Sequence, residues 1–217
     1  PLFSEFARLR YEMQYEDQSE MRYVDIRSQN LSDASEFLGG RTAMLYTGTW
    51  RTRSVKDLES FPHDFTVAFA PLPTNPGQEI SYNEGSPGDF AMIAGDTDAP
   101  EAAWTFVRYF TSEGIDPMVS QGGKIPAWTG YPVENVTEAM LGPDPEELFD
   151  TESFERVVLE PVLRSYQATD PVARAVYNDM RNVLAEEMEL NFLDEKDLDN
   201  TMRTIDERVT RLVDDEH

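Results

Sequence analysis

The stretch that most constrains this chain runs from Phe37 to Trp50, FLGGRTAMLYTGTW. Gly39 and Gly40 end a short helix, because glycine accepts the left-handed conformation that a helix C-terminus asks for. The apolar run from Thr42 to Tyr46, closed by Gly48, then predicts a buried strand that delivers Thr47, Gly48 and Trp50 to the edge of a cleft. A tryptophan just past a strand end, beside a glycine that lets backbone approach closely, is suited to stacking on a flat ligand.

The flanking patterns fill in the rest. Leu2, Phe6, Leu9 and Met13 fall on one stripe of an amphipathic helix over residues 1 to 16. Tyr23 to Ile26 is a candidate strand within a polar segment, and a short helix capped by Ser32 or Asp33 follows it. Thr49 to Leu58 reads as helix, broken by Phe61-Pro62. Phe65, Val67 and Phe69 alternate with smaller residues, so a strand ending at Pro71-Leu72-Pro73 is expected. Thr74 to Gly88 is a loop, and Asp89 to Ala94 a second buried strand. Asp98-x-x-Glu101 resembles a capping box for a helix with Pro100 in its first turn, burying Ala103, Phe106, Val107 and Phe110, with Trp104 packed on a neighbouring element. From Pro132 the chain is helical and acidic. It includes a helix capped by Thr169 and a last helix, Asp197 to Val213, whose Leu198, Met202, Ile205, Val209 and Leu212 form a seam for docking onto a domain.

The first stretch also resembles the F-x-x-G-[KR]-x-A-M-x-x-x-G-x-W signature of extracellular solute-binding proteins, the family of maltose-binding protein. It matches at Phe37, Gly40, Arg41, Ala43, Met44, Gly48 and Trp50. The order that follows is similar too: FTVAFAPLP, the loop NEGSPGDFAMIAG, the helix DAPEAAWTFVRYFTSEG, and GGKIPAW. The resemblance covers residues 30 to 130 and extends less closely to the helical tail. It implies an α/β, periplasmic-binding-protein-like fold of type II, here its C-terminal part, helix-rich with a small mixed sheet. Residues 37–94 would form a strand-rich cleft segment and 98–217 a mainly helical part. It further implies the substrate-binding component of an ABC importer, which closes two lobes on a sugar or oligosaccharide without chemistry and presents it to the permease subunits.

Composition narrows the alternatives. Forty-two acidic residues against 18 basic ones give a net charge of −24, which repels phosphate backbones and excludes nucleic acid as a partner. Such an acidic, lysine-poor surface suits a salt-rich habitat, and equally a well-solvated one. With no cysteine there is no disulfide, thiolate metal site or cysteine nucleophile. His63 reads as part of a polar turn, no G-x-S-x-G elbow or phosphate-binding glycine loop occurs, and no calcium-loop spacing is found, so no enzyme, metal or cofactor is expected. Because the chain opens on proline with residues that already read as helix, a removed segment ahead of Pro1 is expected. Placement is then extracellular or periplasmic, as a lipoprotein anchored through that segment.

What remains is recognition. A sugar offers hydroxyls around its rim and flat apolar faces, so its site wants an aromatic plate and planar polar groups. Trp50 is the candidate plate, Asn83, Glu84, Ser86 and Asp89 are candidate hydrogen-bonders, and Trp128, Tyr131 and Tyr166 candidate walls. By the resemblance, Trp50 and the loop from Asn83 to Gly88 fall where the family lines its cleft. Trp50 equally suits a core position, and Asn83 and Asp89 loop-shaping or strand-capping roles. Two other functions stand beside the importer: a stand-alone acidic protein-interaction domain acting through the helical tail, and a carbohydrate-active enzyme using two carboxylates. A half lacking its N-terminal partner would also be prone to self-association through the Phe65 to Ala94 strands.

Overall fold

Helix α1 (Leu2–Tyr15) buries Ala7 and Gln14, while Phe6 and Leu9 of the expected stripe face solvent. The small Ala7 packs against Met188 and Ile205, and the buried Gln14 side chain accepts from the Tyr23 N–H. The computed structural model describes residues 2–73, 77, 82–83, 89–160, 164–165 and 175–215, with Leu2, Tyr82, Asn83, Arg164 and Ser165 described by backbone alone. The chain divides into two units, one of Pro1–Ser32 with Gln167–His217 and the other of Asp33–Tyr166.

In the first unit α1 packs with two long helices near the C-terminus, Tyr177–Phe192 and Leu198–Asp215. Leu198, Met202, Ile205 and Val209 lie against Ala7, Leu184, Met188 and Phe192, so the expected seam docks within its own unit. The link between the two long helices is pinned by charge. Glu187, 6% exposed, accepts from Lys196 at 2.6 Å and from Arg208 at 2.8 Å, and Arg208 also reaches Glu186 at 2.7 Å. The Lys196 hydrogen bond first, and then that of Arg208, holds the Glu187 carboxyl below the usual range. Tyr23 to Ile26 is not a strand. It opens helix α2 (Tyr23–Gln29), whose first N–H, on Tyr23, is taken by the side chain of buried Gln14 at 2.9 Å. A cap supplied from another helix is invisible to a local reading of the sequence.

In the second unit α3 (Asp33–Leu38) is followed by a turn at Gly39-Gly40, and the φ of +71° at Gly40 is the left-handed conformation expected there. Arg41 folds back to pair with buried Glu36 and holds its carboxyl low. A 3-10 turn, Thr49–Arg51, leads into α4 (Thr52–Lys56). The core is Leu38, Val55, Val67, Val119, Val136, Met140, Leu141, Phe149 and Phe154. It draws on α3 and α4, and on three further short helices, Asp116–Ser120, Val136–Leu141 and Thr151–Phe154. Asp150 caps the last of these through Ser153 N–H at 3.0 Å. Lys56 donates to the Ser120 carbonyl at 2.7 Å, and burial lowers its pKa.

The expected sheet is where structure and pattern part. Val67 makes one parallel bridge to Phe149, and the Phe69 N–H is taken by Ser153 Oγ at 2.9 Å. Beyond that, the described residues hold one two-residue parallel pair, Tyr82–Asn83 with Arg164–Ser165. Thr42 to Tyr46 and Asp89 to Ala94 are not strands, and they are not buried: Met44 is 87% and Met92 85% exposed. Ala43 to Tyr46 and Phe90 to Ile93 make no backbone ladder bonds with other described residues. An apolar run becomes a strand only when neighbours satisfy its N–H and C=O groups. The same lack affects the helix Pro100–Phe110. It forms with Pro100 at its start, but Ala99 rather than Asp98 occupies the cap and no side chain caps it. None of its residues is buried: Phe106 stacks on Phe110 at 5.7 Å, and both Phe106 and Trp104 are exposed.

Candidate functional site

Two backbone features of the second unit fix the surroundings of Trp50. The indole folds back over Gly48, where a Cβ would collide with the ring. Gly123, at φ +61°, brings its Cα against the 3-10 turn: a Cβ there would lie 2.6 Å from the Thr49 carbonyl oxygen and 2.9 Å from Trp50 Cα. Only glycine meets both demands, the left-handed φ and the close approach. Thr52, buried beneath, donates its hydroxyl to the Thr49 carbonyl at 2.9 Å and stiffens the turn.

The residue after Gly123 is Lys124. Its amide donates to the Met118 carbonyl at 3.0 Å, so the chain leaves the helix Asp116–Ser120 in a fixed direction. The Lys124 ammonium lies 5.6 Å from the centre of the Trp50 ring and pairs with Asp89 Oδ2 at 2.8 Å. Two residues expected from sequence, Trp50 and Asp89, are thus joined by a third that sequence reasoning missed. A signal was present: the chain has only three lysines, and this one follows a glycine pair. Arg51, next to Trp50, turns away to Asp33 at 2.6 Å.

Trp50 is 43% exposed, which removes the reading of it as a core residue. Trp128 is 39% exposed and folds over Gly130 much as Trp50 folds over Gly48, but no ring contact joins the two tryptophans among the described residues. Tyr131 packs against the core and donates its hydroxyl to Asp116 at 2.9 Å; burial first, and then Asp116, raises its pKa. Its hydroxyl is already committed. Asn83 is described by its backbone alone, in register with Ser165. Glu84, Ser86 and Tyr166 lie outside the described residues, as does Thr169.

His63 Nδ1 donates to the Phe61 carbonyl at 2.8 Å and the ring leans on Phe65, while its buried Nε2 has no hydrogen-bond partner among the described residues. Among the described residues no three His, Cys, Asp or Glu side chains are grouped to hold a metal ion, and no helix is long and apolar enough to cross a membrane.

Trp50, Lys124 and Asp89 together present an exposed aromatic ring with a paired cation and carboxylate beside it. The family described as bacterial extracellular solute-binding protein matches residues 13–139, more than half of the chain. This chain belongs to the bacterial extracellular solute-binding proteins, a family whose work is ligand binding for transport and whose fold is periplasmic-binding-protein-like. No curated protein and no solved structure matches it.

Proposed function

We propose that the chain is the C-terminal portion of a two-lobed solute-binding protein that captures a sugar or oligosaccharide and delivers it to an ABC importer. The observation that carries the saccharide is Trp50, an exposed aromatic plate with the Asp89 and Lys124 side chains beside it. The apolar runs at 42–46 and 89–94, which make no ladder with other described residues, and the exposed helix Pro100–Phe110 support a portion that shares its sheet with chain beyond this sequence. Closure of two lobes on the ligand would be driven by binding energy alone, and the permease would read the closed form. An extracellular or periplasmic site of action, with a lipid anchor ahead of Pro1, belongs to the same reading.

The test is calorimetric titration with neutral mono- and oligosaccharides, with the sugar recovered and analysed afterwards. Binding with the sugar returned intact supports the proposal, and cleavage products would replace it with a carbohydrate-active enzyme. Trp50→Ala is expected to weaken binding about tenfold, a well-made aromatic contact being worth about 1.4 kcal/mol; unchanged affinity would remove Trp50 from the site.

The exposed face of the helix Pro100–Phe110 favours a second reading, a stand-alone acidic domain that binds another protein. The intact mass of the protein in its source cells separates the two. A mass near twice the 24.7 kDa of this chain supports the two-lobed protein, and a mass near 24.7 kDa supports the interaction domain.

A further inference from the structure

We infer that Asp89, Lys124 and Trp50 form a subsite for one neutral sugar ring bearing two adjacent free hydroxyls. Trp50 stacks on the ring, Asp89 accepts from one hydroxyl and Lys124 donates to its neighbour. The inference rests on the saccharide reading above and narrows it to a ligand class and a pair of hydroxyls.

The chemistry follows from the ion pair. A carboxylate only accepts hydrogen bonds and an ammonium only donates them. At 2.8 Å apart, Asp89 Oδ2 and Lys124 Nζ offer one acceptor and one donor spaced by a single hydrogen-bond length. Two hydroxyls on neighbouring ring carbons are spaced about the same, and each can both give and take a hydrogen bond. The pair can therefore be bridged by a vicinal diol without either charge losing its partner. Both side chains are reachable, with 38% of the Lys124 and 63% of the Asp89 side chain exposed. An exposed pair holds itself together weakly, so sharing it with a ligand costs little.

The same contact explains how the ring is shared. At 5.6 Å the ammonium stands near the outer limit of a cation–π contact, about 6 Å. It holds the indole face weakly and, on a flexible four-carbon stem, yields that face to a sugar while its donors stay within reach. Gly123 sets where the stem begins, because its Cα packs on the turn that carries Trp50.

Charge selects a neutral ligand. The pair sums to zero, so an anionic sugar gains one attraction and meets one repulsion, on a chain that carries −24 overall. A cationic ligand would compete with Lys124 for both the ring and the carboxylate.

The test uses the gene product at its full encoded length and isothermal calorimetry with glucose, galactose, mannose, maltose and cellobiose. The tightest of these is then compared with its monodeoxy analogues and its uronic acid counterpart. Lys124→Met and Asp89→Asn are each expected to weaken the parent sugar about tenfold, the worth of one good hydrogen bond. Neither is expected to weaken further the deoxy analogue that lacks the hydroxyl it serves, and the uronic acid is expected to bind less well than the neutral sugar. Thermal unfolding of both variants, whose side chains are partly exposed, is expected to match the parent. Parent-like affinity in both variants, with binding lost in Trp50→Ala, would overturn the subsite and leave the saccharide reading standing. Tighter binding of the uronic acid would overturn the neutral class. Absence of binding by every sugar in the panel would overturn the saccharide reading itself.

Discussion

Replacing Gly123 by alanine sets a methyl group 2.6 Å from the Thr49 carbonyl oxygen at a φ of +61°. Backbone strain and collision add, and a loss of about 1 to 3 kcal/mol in unfolding free energy is expected by denaturant titration. A change below about 0.5 kcal/mol would show that the turn has room to give. Glu187 makes a separate prediction about pH. Its carboxyl is held below its ordinary value of 4.5 by Lys196 and Arg208, so the folded state binds the proton less readily than the unfolded one. The stability this contributes is fully present above the unfolded value and is lost as pH falls through the lower, folded value. Melting temperatures measured from pH 7 down to pH 3 are expected to fall on the acid side, and less steeply in Glu187→Gln. That variant is also expected to be less stable than the parent at pH 7, because a neutral amide leaves two cations short of their partner. Parallel acid limbs in the two proteins would assign the acid transition to other carboxylates.

The helix Pro100–Phe110 has an apolar stripe and no buried residue, so its Phe106 contributes little to the stability of this chain. Phe106→Ser is expected to change unfolding free energy by less than about 0.5 kcal/mol, in contrast to the 3 to 5 kcal/mol expected for Phe154→Ala in the core. A large loss at Phe106 would mean that the helix face is covered. These two phenylalanines show what the sequence could and could not reveal. Most helices were legible because their hydrogen bonds are local: the 3.6-residue period, the stop at Gly40 and the start at Pro100 located them, whereas α2, capped from Gln14 on another helix, read as a strand. Strands depend on partners elsewhere, and alternation at Phe65, Val67 and Phe69 could not say that one bridge to Phe149 was all the described residues supply. Burial at Met44 and Phe106 failed for the same reason, since periodicity marks a face without saying what covers it. In the candidate site, Trp50 was legible from its glycine and the strand-like run before it. Lys124 was not, because its place depends on a close approach of two segments more than 70 residues apart.

At the scale of the whole chain, the charge of −24 is spread over 42 acidic residues, and the three lysines are each already engaged, by Ser120, Asp89 and Glu187. Self-repulsion is therefore a general destabilising load, and salt relieves it as the screening length falls from about 10 Å at 0.1 M to about 3 Å at 1 M. The melting temperature is expected to rise between 0.1 M and 2 M sodium chloride; a fall would mean that ion pairs such as Arg208 with Glu186 and Glu187 outweigh the repulsion. The tryptophans carry a further consequence. All three, Trp50, Trp104 and Trp128, stand 39 to 55% exposed and none belongs to a core cluster. Intrinsic emission from this protein is therefore expected to be that of partly hydrated indoles already in the native state, with a smaller shift on unfolding than buried tryptophans would give. Neutral acrylamide will quench it readily, whereas iodide, an anion kept away by the surface field, will quench it poorly until salt is added.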